Sequence, residues 1–176
     1  MSIAYLLSGS NQGDRAAILQ SANDYISEIA GDILHCSPMF ESPPWGFDHP
    51  TSFINQAIKL QTPLEPQALL ELLLEIENKC GRVRNAGPGY QARTLDIDIL
   101  FYDDRIIKTA ELDIPHPSLH IRRFTLLPLS RIAPDLKHPV LGKSITELLN
   151  ECKDNGMVNE YPGNTGCQQK EVSDAL

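Results

Sequence analysis

Two aspartates stand two residues apart in the run RTLDIDILFY, residues 93–102. Polar and apolar residues alternate here, and this period of two predicts a β-strand with Asp96 and Asp98 on one face. Such carboxylates lie roughly 6 to 7 Å apart, so both can bind one metal ion or bridge two. At an effective dielectric constant of about 20 they repel by about 3 kcal/mol, so they require a nearby cation, either a metal ion or an arginine. The residues predicted for the opposite face are Leu95, Ile97, Ile99 and Phe101.

A glycine-rich segment, residues 81–93, leads directly into this strand and carries Arg82, Arg84 and Arg93. One interpretation is that these arginines form surface ion pairs with the aspartates. Such pairs contribute only about 0 to 1 kcal/mol. The other interpretation is an anionic ligand with several oxygens, because a guanidinium group matches phosphate with two parallel hydrogen bonds. The composition of the segment favours the second interpretation.

Residues 42–50, SPPWGFDHP, contain too much proline and glycine for a regular element. They nevertheless carry Trp45, the only tryptophan of the chain, and Phe47. These aromatic side chains either form a small satellite core or act as a lid over a flat ligand. The sequence leaves both interpretations open.

The periodicity of the chain predicts the elements that position these residues. Asp14 is the expected N-cap of the first helix, and Pro128 is expected to bend or end the third. A turn at residues 103–104 is expected to bring residues 106–107 back as a hairpin. His116 and His120 have metal-ligand spacing, but Pro117 disfavours a continuous helix through them, so zinc is disfavoured. The predicted strands are residues 3–7, 33–40, 53–60 and 94–102, and the predicted helices are residues 15–30, 66–80, 124–132 and 145–152.

Composition limits the class of protein. With 176 residues and 41% hydrophobic content, the chain suits one domain, which we expect at residues 1–152, followed by a loosely ordered polar tail at 153–176. A net charge of −8 argues against nucleic-acid and membrane partners. The four cysteines show no CxxC spacing and the first residues do not resemble a signal peptide, so we expect reduced cysteines and a cytoplasmic location.

Six blocks of the chain form an ordered set. They are Ser42-Pro43-Pro44, Phe53-Ile54-Asn55, Gly81-Arg82-Val83-Arg84, Arg93-Thr94-Leu95-Asp96-Ile97-Asp98-Ile99-Leu100, Pro115-His116 and Arg122-Arg123-Phe124. At matching intervals, these blocks resemble the family of 6-hydroxymethyl-7,8-dihydropterin pyrophosphokinases, enzymes of the folate pathway. The resemblance covers about residues 2 to 150. It implies an α+β fold, a ferredoxin-like antiparallel sheet with helices packed on it and a C-terminal hairpin and helices added.

The resemblance implies transfer of the pyrophosphoryl group of ATP to the hydroxymethyl oxygen of the pterin, with release of AMP. It implies two Mg²⁺ ions held by Asp96 and Asp98, and no obligate protein partner. The implied catalytic residues are Arg82, Arg93, Asp96 and Asp98. The implied ATP-binding residues are Leu70, Glu77, Arg84, Ile99, Leu112, His116 and Arg122. The implied pterin-binding residues are Ser42, Pro43, Pro44, Trp45, Phe53, Asn55 and Phe124.

Five positions depart from residues common in the family: Leu74, Tyr90, Gln91, Glu111 and Pro117. Two other functions remain as alternatives. A catalytically silent module could bind a pterin or nucleotide, although such a module has no need of a repulsive carboxylate pair. A two-metal phosphohydrolase would require a group that orients water, and no candidate accompanies the aspartates.

Overall fold

The computed structural model describes residues 1–81, 92–163 and 167. The predicted α+β class is confirmed, with an antiparallel sheet and four α-helices in these ranges. None of the helices in these ranges is long and apolar enough to cross a membrane. The elements are β1 (Ser2–Ser10), α1 (Arg15–Ile29), β2 (Asp32–Cys36), β3 (Phe40–Ser42), β4 (Phe53–Thr62), α2 (Pro66–Lys79), β5 (Asp96–Tyr102), β6 (Ile107–Lys108), β7 (Asp113–Ile114), a 3₁₀ helix (Leu119–Ile121), α3 (Arg123–Ile132), α4 (Ile145–Glu151) and β8 (Asn159–Glu160).

The main sheet has the strand order β5-β1-β4-β3-β8, and all its pairs are antiparallel. The long strand β4 also pairs with β2 farther along the same edge. Helices α1 and α2 cover one face of the sheet, and α3 and α4 cover the other, so that each face has its own buried apolar cluster. The central strands therefore carry buried residues on both faces.

Local signals explain the ends of the helices. The carboxylate of Asp14 accepts a hydrogen bond from the backbone N–H of Ala17 and caps α1, as predicted. Pro66 opens α2 at the first turn, where a missing N–H costs no hydrogen bond. Ser144 and Glu147 form a capping box at α4. Pro128 lies inside α3 and does not end it, and burial of the neighbouring leucines supports the helix.

Strand β5 departs from a strict alternation. Its pairing with β1 shifts register between Tyr5 and Leu6, which leaves Leu100 as an extra residue on β5. Beyond this bulge, Phe101 packs in the cluster under α3 and α4, whereas Ile97 and Ile99 pack on the α1 and α2 side. The prediction that Phe101 shares a face with these isoleucines was therefore wrong.

Two other strand predictions were also wrong. The strand expected at residues 33–40 is divided into β2 and β3, because Pro38 lacks an N–H and the Ser37 hydroxyl accepts the N–H of Ala57. The hairpin expected after β5 does not pair with that strand. Strand β6 pairs with β7 in a separate two-stranded sheet, since the Asp103 turn binds the first residues of β1 instead.

Residues after α4 return to the sheet. Strand β8 pairs with β3, and a disulfide joins Cys36 at the end of β2 to Cys167. This disulfide contradicts the expectation that all four cysteines are reduced. The two cysteines are separated by 131 residues in sequence, and only the return of the C-terminal segment brings their Cα atoms to 5.4 Å.

Thiol titration checks the disulfide. Chain unfolded without reductant is expected to react at two thiols, Cys80 and Cys152, and at all four cysteines after reduction. Because the bond closes a long loop, reduction is expected to lower the free energy of unfolding by as much as about 4 to 5 kcal/mol. Four reactive thiols before reduction would contradict the bond.

The turn after α3 predicts a pH-dependent stability. The Nδ1 atom of His138 accepts the N–H groups of Val140 and Leu141 at 3.2 Å, and protonation would remove this acceptor. Burial, with a smaller effect of His120, lowers the pKa of His138. The unfolded chain therefore binds more protons below the ordinary pKa of 6.5, and acid destabilises the fold.

Replacing His138 with Gln removes the titrating ring, so the decrease in the free energy of unfolding from about pH 7 to about pH 5 should become smaller. Denaturant unfolding of both proteins at each pH measures this difference. Equal decreases in the two proteins would contradict the prediction.

Candidate functional site

One cavity of about 240 Å³ lies where β1, β4 and β5 face the start of α3. The loop between β3 and β4, residues 43–52, forms its outer wall and is called the aromatic loop below. Carboxylates lie at one end of the lining and aromatic rings at the other. The lining residues are Leu7, Gly9, Ser42, Pro43, Trp45, Phe47, Phe53, Asn55, Arg93, Asp96, Asp98, His116, Arg122 and Phe124.

The register of three strands builds the floor of the cavity. Gly9 of β1 stands between Asp96 of β5 and Asn55 of β4. Asn55 lies so close that a Cβ atom on Gly9 would come within 2.6 Å of its Oδ1 atom. In the next row on this face, Leu7 lies opposite Asp98. Because Gly9 has no side chain, the Asn55 side chain has room to lie in the floor of the cavity.

Asp96 forms an ion pair with Arg93, which lies three residues before it. The loop after β1 holds this arginine, because the Asn11 side-chain oxygen accepts the backbone N–H of Arg93 at 2.7 Å. The backbone N–H of Asn11 donates in turn to the Arg93 carbonyl at 3.0 Å. Positive and negative charge are thus fixed side by side at one end of the cavity.

The surroundings of Asp98 disfavour the ionised form of its carboxylate. The Asp98 side chain is 35% exposed, and desolvation of its carboxylate, with the negative charge of Asp96, raises the pKa of Asp98 to about 7, although Arg122 acts in the opposite direction. The Nε2 atom of His116 lies 4.0 Å from the Asp98 carboxylate. Burial and the charge of Arg122 lower the pKa of His116 to about 4. Its Nδ1 atom accepts the N–H of Ser118, so the neutral ring carries its proton on Nε2, toward Asp98.

Aromatic rings surround the other end of the cavity. The guanidinium carbon of Arg122 lies 4.6 Å from the centre of the Trp45 ring and 5.8 Å from the centre of the Phe124 ring. Phe47 packs edge-on against Phe53, with ring centres 6.1 Å apart. Both aromatic residues of the loop thus face the cavity, and a role as a lid over a ligand stays a prediction.

A profile of the family described as 7,8-dihydro-6-hydroxymethylpterin-pyrophosphokinase (HPPK) matches residues 5–134. A 2-amino-4-hydroxy-6-hydroxymethyldihydropteridine pyrophosphokinase of Porphyromonas gingivalis is 39% identical over 141 residues, which cover 79% of this chain and 95% of that protein. The chain belongs to the HPPK family. It is therefore an ATP-dependent pyrophosphokinase, as the resemblance in its motifs predicted.

Other relatives differ in their overall length. The enzyme of the same name from Aquifex aeolicus is 38% identical over 151 residues, with 86% of this chain and 92% of that protein covered. The folic acid synthesis protein FOL1 of Dictyostelium discoideum is 38% identical over 160 residues, but the match spans 91% of this chain and only 24% of that protein. The HPPK unit thus occurs both alone and within longer chains.

A solved structure of Plasmodium falciparum HPPK-DHPS with pteroate has a TM-score of 0.70 and 18% identity to this chain. The match covers 85% of this chain and 42% of the solved one. A likeness at this identity shows the fold alone. It agrees with the ferredoxin-like sheet that the motifs predicted.

The cavity brings together most of the predicted pterin-binding residues. Six of these seven residues line the cavity, and Pro44 does not. Within the set, the Asn55 side-chain N–H donates to the Ser42 hydroxyl at 3.3 Å. The members that line the cavity are Ser42, Pro43, Trp45, Phe53, Asn55 and Phe124.

The predicted ATP set is divided between two regions. His116 and Arg122 line the cavity. Leu70, Ile99 and Leu112 instead pack with the apolar cluster on the α1 and α2 side. Glu77 is buried as well, and its carboxylate accepts the N–H of Ile97 between the two aspartates at 2.8 Å. The residues predicted to contact adenine therefore do not line this cavity, and their contact with adenine stays a prediction.

Of the four predicted catalytic residues, Arg93, Asp96 and Asp98 meet in the cavity. Arg82 lies outside the described residues, as do Arg84 of the ATP set and the family departures Tyr90 and Gln91. The roles predicted for these residues stay predictions.

Three lining residues were not among the predicted site residues: Leu7, Gly9 and Phe47. A glycine inside a strand pattern often marks a close approach of another group, so Gly9 carried a usable signal. Phe47 carried one too, as an aromatic residue in a loop rich in proline. Leu7 carried none, because it is one apolar residue within an apolar strand.

The donor set fits magnesium. Asp96 and Asp98 present hard oxygen ligands to the cavity, and desolvation together with their mutual repulsion disfavours the ionised form of Asp98, which a bound cation would stabilise. Across the described residues, no group of three or more His, Cys, Asp or Glu side chains could hold a metal ion. Two carboxylates suit Mg²⁺ in nucleotide enzymes, because phosphates and water complete its coordination.

Proposed function

We propose that this chain transfers the pyrophosphoryl group of ATP to the hydroxymethyl oxygen of 6-hydroxymethyl-7,8-dihydropterin in folate biosynthesis. The hydroxyl oxygen forms a bond to the β-phosphorus, the bond from that phosphorus to the α,β-bridging oxygen breaks, and AMP leaves with that oxygen. The hydroxyl proton is released. The observation that carries the proposal is a single cavity with aromatic rings at one end and the Asp96 and Asp98 carboxylates at the other.

The aromatic end suits the pterin. A flat bicyclic ring would lie between Phe53 and Phe124, because stacked aromatic rings bury much area at a small cost in conformational entropy. The Asn55 side chain and the Ser42 hydroxyl would bind the polar edge of the ring. Their mutual hydrogen bond fixes the Asn55 amide before a ligand arrives.

The carboxylate end suits the reacting phosphates. Asp96 and Asp98 would hold two Mg²⁺ ions, which when bound would supply positive charge to the phosphate oxygens. Arg93 and Arg122 would donate charge-assisted hydrogen bonds to the same oxygens. His116, neutral at neutral pH, would donate from Nε2 without adding a charge. Arg82 and Arg84 would add further phosphate contacts by their match to the family motif.

The cytoplasmic location and the domain limits are separate proposals. We place the pyrophosphokinase domain at residues 1–152, with β8 of the following segment added at the edge of its sheet, and its site of action in the cytoplasm. The Cys36–Cys167 disulfide is the observation against that compartment, because structural disulfides are rare in a reducing environment. Thiol labelling of the protein inside its own cells shows whether Cys36 and Cys167 are reduced, as a cytoplasmic location predicts, or joined by the disulfide.

Incubating the protein with ATP, Mg²⁺ and the hydroxymethyl pterin tests the proposed reaction. The expected products are AMP and the pterin pyrophosphate in equal amounts. ADP or inorganic phosphate as the product would indicate a different phosphate-transfer enzyme. Binding of the pterin without turnover would indicate the silent module. Omission of the pterin is the control, since AMP should then not accumulate.

A further inference from the structure

Arg15, the first residue of α1, joins the two ends of the aromatic loop. Its Nη1 atom donates to the Glu41 carboxylate at 2.8 Å and to the Ser52 carbonyl oxygen at 2.7 Å. Glu41 lies in β3, two residues before the loop, and Ser52 is its last residue. One guanidinium group thus bridges the two ends of the loop, next to Ser42 and Phe53, the last pair of the β3–β4 ladder.

The C-terminal segment covers this guanidinium group. Its carbon lies 5.7 Å from the centre of the Tyr161 ring. Tyr161 follows β8, and its backbone N–H donates to the Met39 carbonyl at 2.8 Å. The Arg15 side chain is accordingly only 19% exposed, whereas that of Glu41 is 41% exposed. Partial burial reduces solvent screening of the ion pair.

Arg15 does not line the cavity, so it acts through the loop and not on a ligand. We propose that Arg15 is a positioning residue that holds both ends of the aromatic loop, so that Trp45 and Phe47 form the wall of the pterin end. The effect on substrate rests on the proposed function. The effect on the loop does not.

The loop supports this role by its composition. It contains Gly46 at a φ of 80°, and glycine adopts other backbone conformations readily, so loss of the Arg15 contacts at the ends of the loop can move the aromatic rings. If the binding-competent loop is populated less, the apparent affinity for the pterin decreases by the same fraction. The carboxylates are on β5 and stay in place, so the chemical step should change little.

The test compares Arg15→Met with Arg105→Met, a matched control. Arg105 also pairs with a glutamate, Glu65, at 2.8 Å and lies 5.6 Å from an aromatic ring, that of Tyr102. It does not line the cavity. Arg15→Lys keeps the charge, and Glu41→Gln weakens the same ion pair from its other side.

The first measurement is fluorescence. Trp45 is the only tryptophan, so its emission reports on the aromatic loop alone. In the free protein, Arg15→Met is expected to shift this emission to longer wavelength, because the ring becomes more exposed to water, whereas Arg105→Met should leave it unchanged. An unshifted spectrum in Arg15→Met overturns the proposal, whether or not the protein is active.

The second measurement is kinetics. Arg15→Met is expected to raise the KM for the pterin about 10-fold, while kcat and the KM for ATP stay within about threefold. Arg15→Lys should recover part of the loss. Equal losses in kcat and in both KM values would instead indicate general damage and overturn the proposal. If Arg15→Met fails to fold, Glu41→Gln decides, with a smaller shift and a smaller KM increase expected. A shifted spectrum in a protein that makes no AMP would refute the proposed reaction and leave the loop inference standing.

Discussion

Asp98→Asn is expected to lower kcat by at least about 10³-fold with Mg²⁺ present, a loss of about 4 kcal/mol of transition-state stabilisation. Asparagine keeps the shape of the side chain and removes its charge. In the proposed reaction, the Asp98 carboxylate would bind Mg²⁺, and the positive charge of that ion would balance the negative charge of the phosphate oxygens. A loss of this size therefore follows from charge alone.

Stability separates this loss from misfolding. Burial and Asp96 raise the pKa of Asp98 to about 7, so the ionised carboxylate is less stable in the fold than in the unfolded chain. Without Mg²⁺ and above that pH, Asp98→Asn should be at least as stable as the wild type. Addition of Mg²⁺ should raise the melting temperature of the wild type more than that of the variant.

Asp104→Asn is the matched control. Asp104 is exposed in the turn after β5 and lies outside the cavity. The kcat and KM values of Asp104→Asn should therefore stay within about twofold of the wild type. Near-normal turnover of Asp98→Asn at saturating Mg²⁺ would refute the metal role. A large decrease in its melting temperature without Mg²⁺ would refute the account of its burial.

Arg122→Met is expected to lower kcat/KM for ATP about 10²-fold, since charge-assisted hydrogen bonds contribute about 1.5 to 3 kcal/mol each. Arg122 is only 6% exposed, and it lies at the junction of the two ends of the cavity. Its guanidinium group stacks on Trp45 and Phe124, and its charge lowers the pKa of His116. Methionine fills part of the same volume without the charge.

Arg123→Met provides the control for this prediction. Arg123 is the next residue in the chain, does not line the cavity, and its backbone N–H donates to Asp154 at 3.0 Å. Its kcat/KM should stay within about twofold of the wild type. If Arg122→Met stayed within about threefold of the wild type, the proposed phosphate contact would be wrong.

Local signals determined much of the fold. Asp14 and Pro66 mark helix starts by a cap and by a fixed φ angle, and the structure begins α1 and α2 at or next to these residues. The two-residue spacing of Asp96 and Asp98 placed both carboxylates in one cavity. These features depend on residues close together in the chain, so a sequence pattern contains them.

Other features depend on partners far away in the chain. Phe101 changes face because β1 imposes a bulge on β5. Cys36 meets Cys167 because the C-terminal segment returns to β3. Arg15 joins the ends of the aromatic loop only because α1 begins beside them. The local periodicity of a sequence does not indicate contacts between residues that are far apart in the chain.

The sequence by itself determined the family, the carboxylate pair and most of the residues that line the aromatic end of the cavity. Only the tertiary structure decided which predicted residues share the cavity, the place of Asn55 beside Gly9, and the separation of Ile99 and Leu112 from that cavity. The physical reason is that residue types and spacing encode local conformation and chemistry. Strand register and the packing of distant segments decide which chemical groups meet.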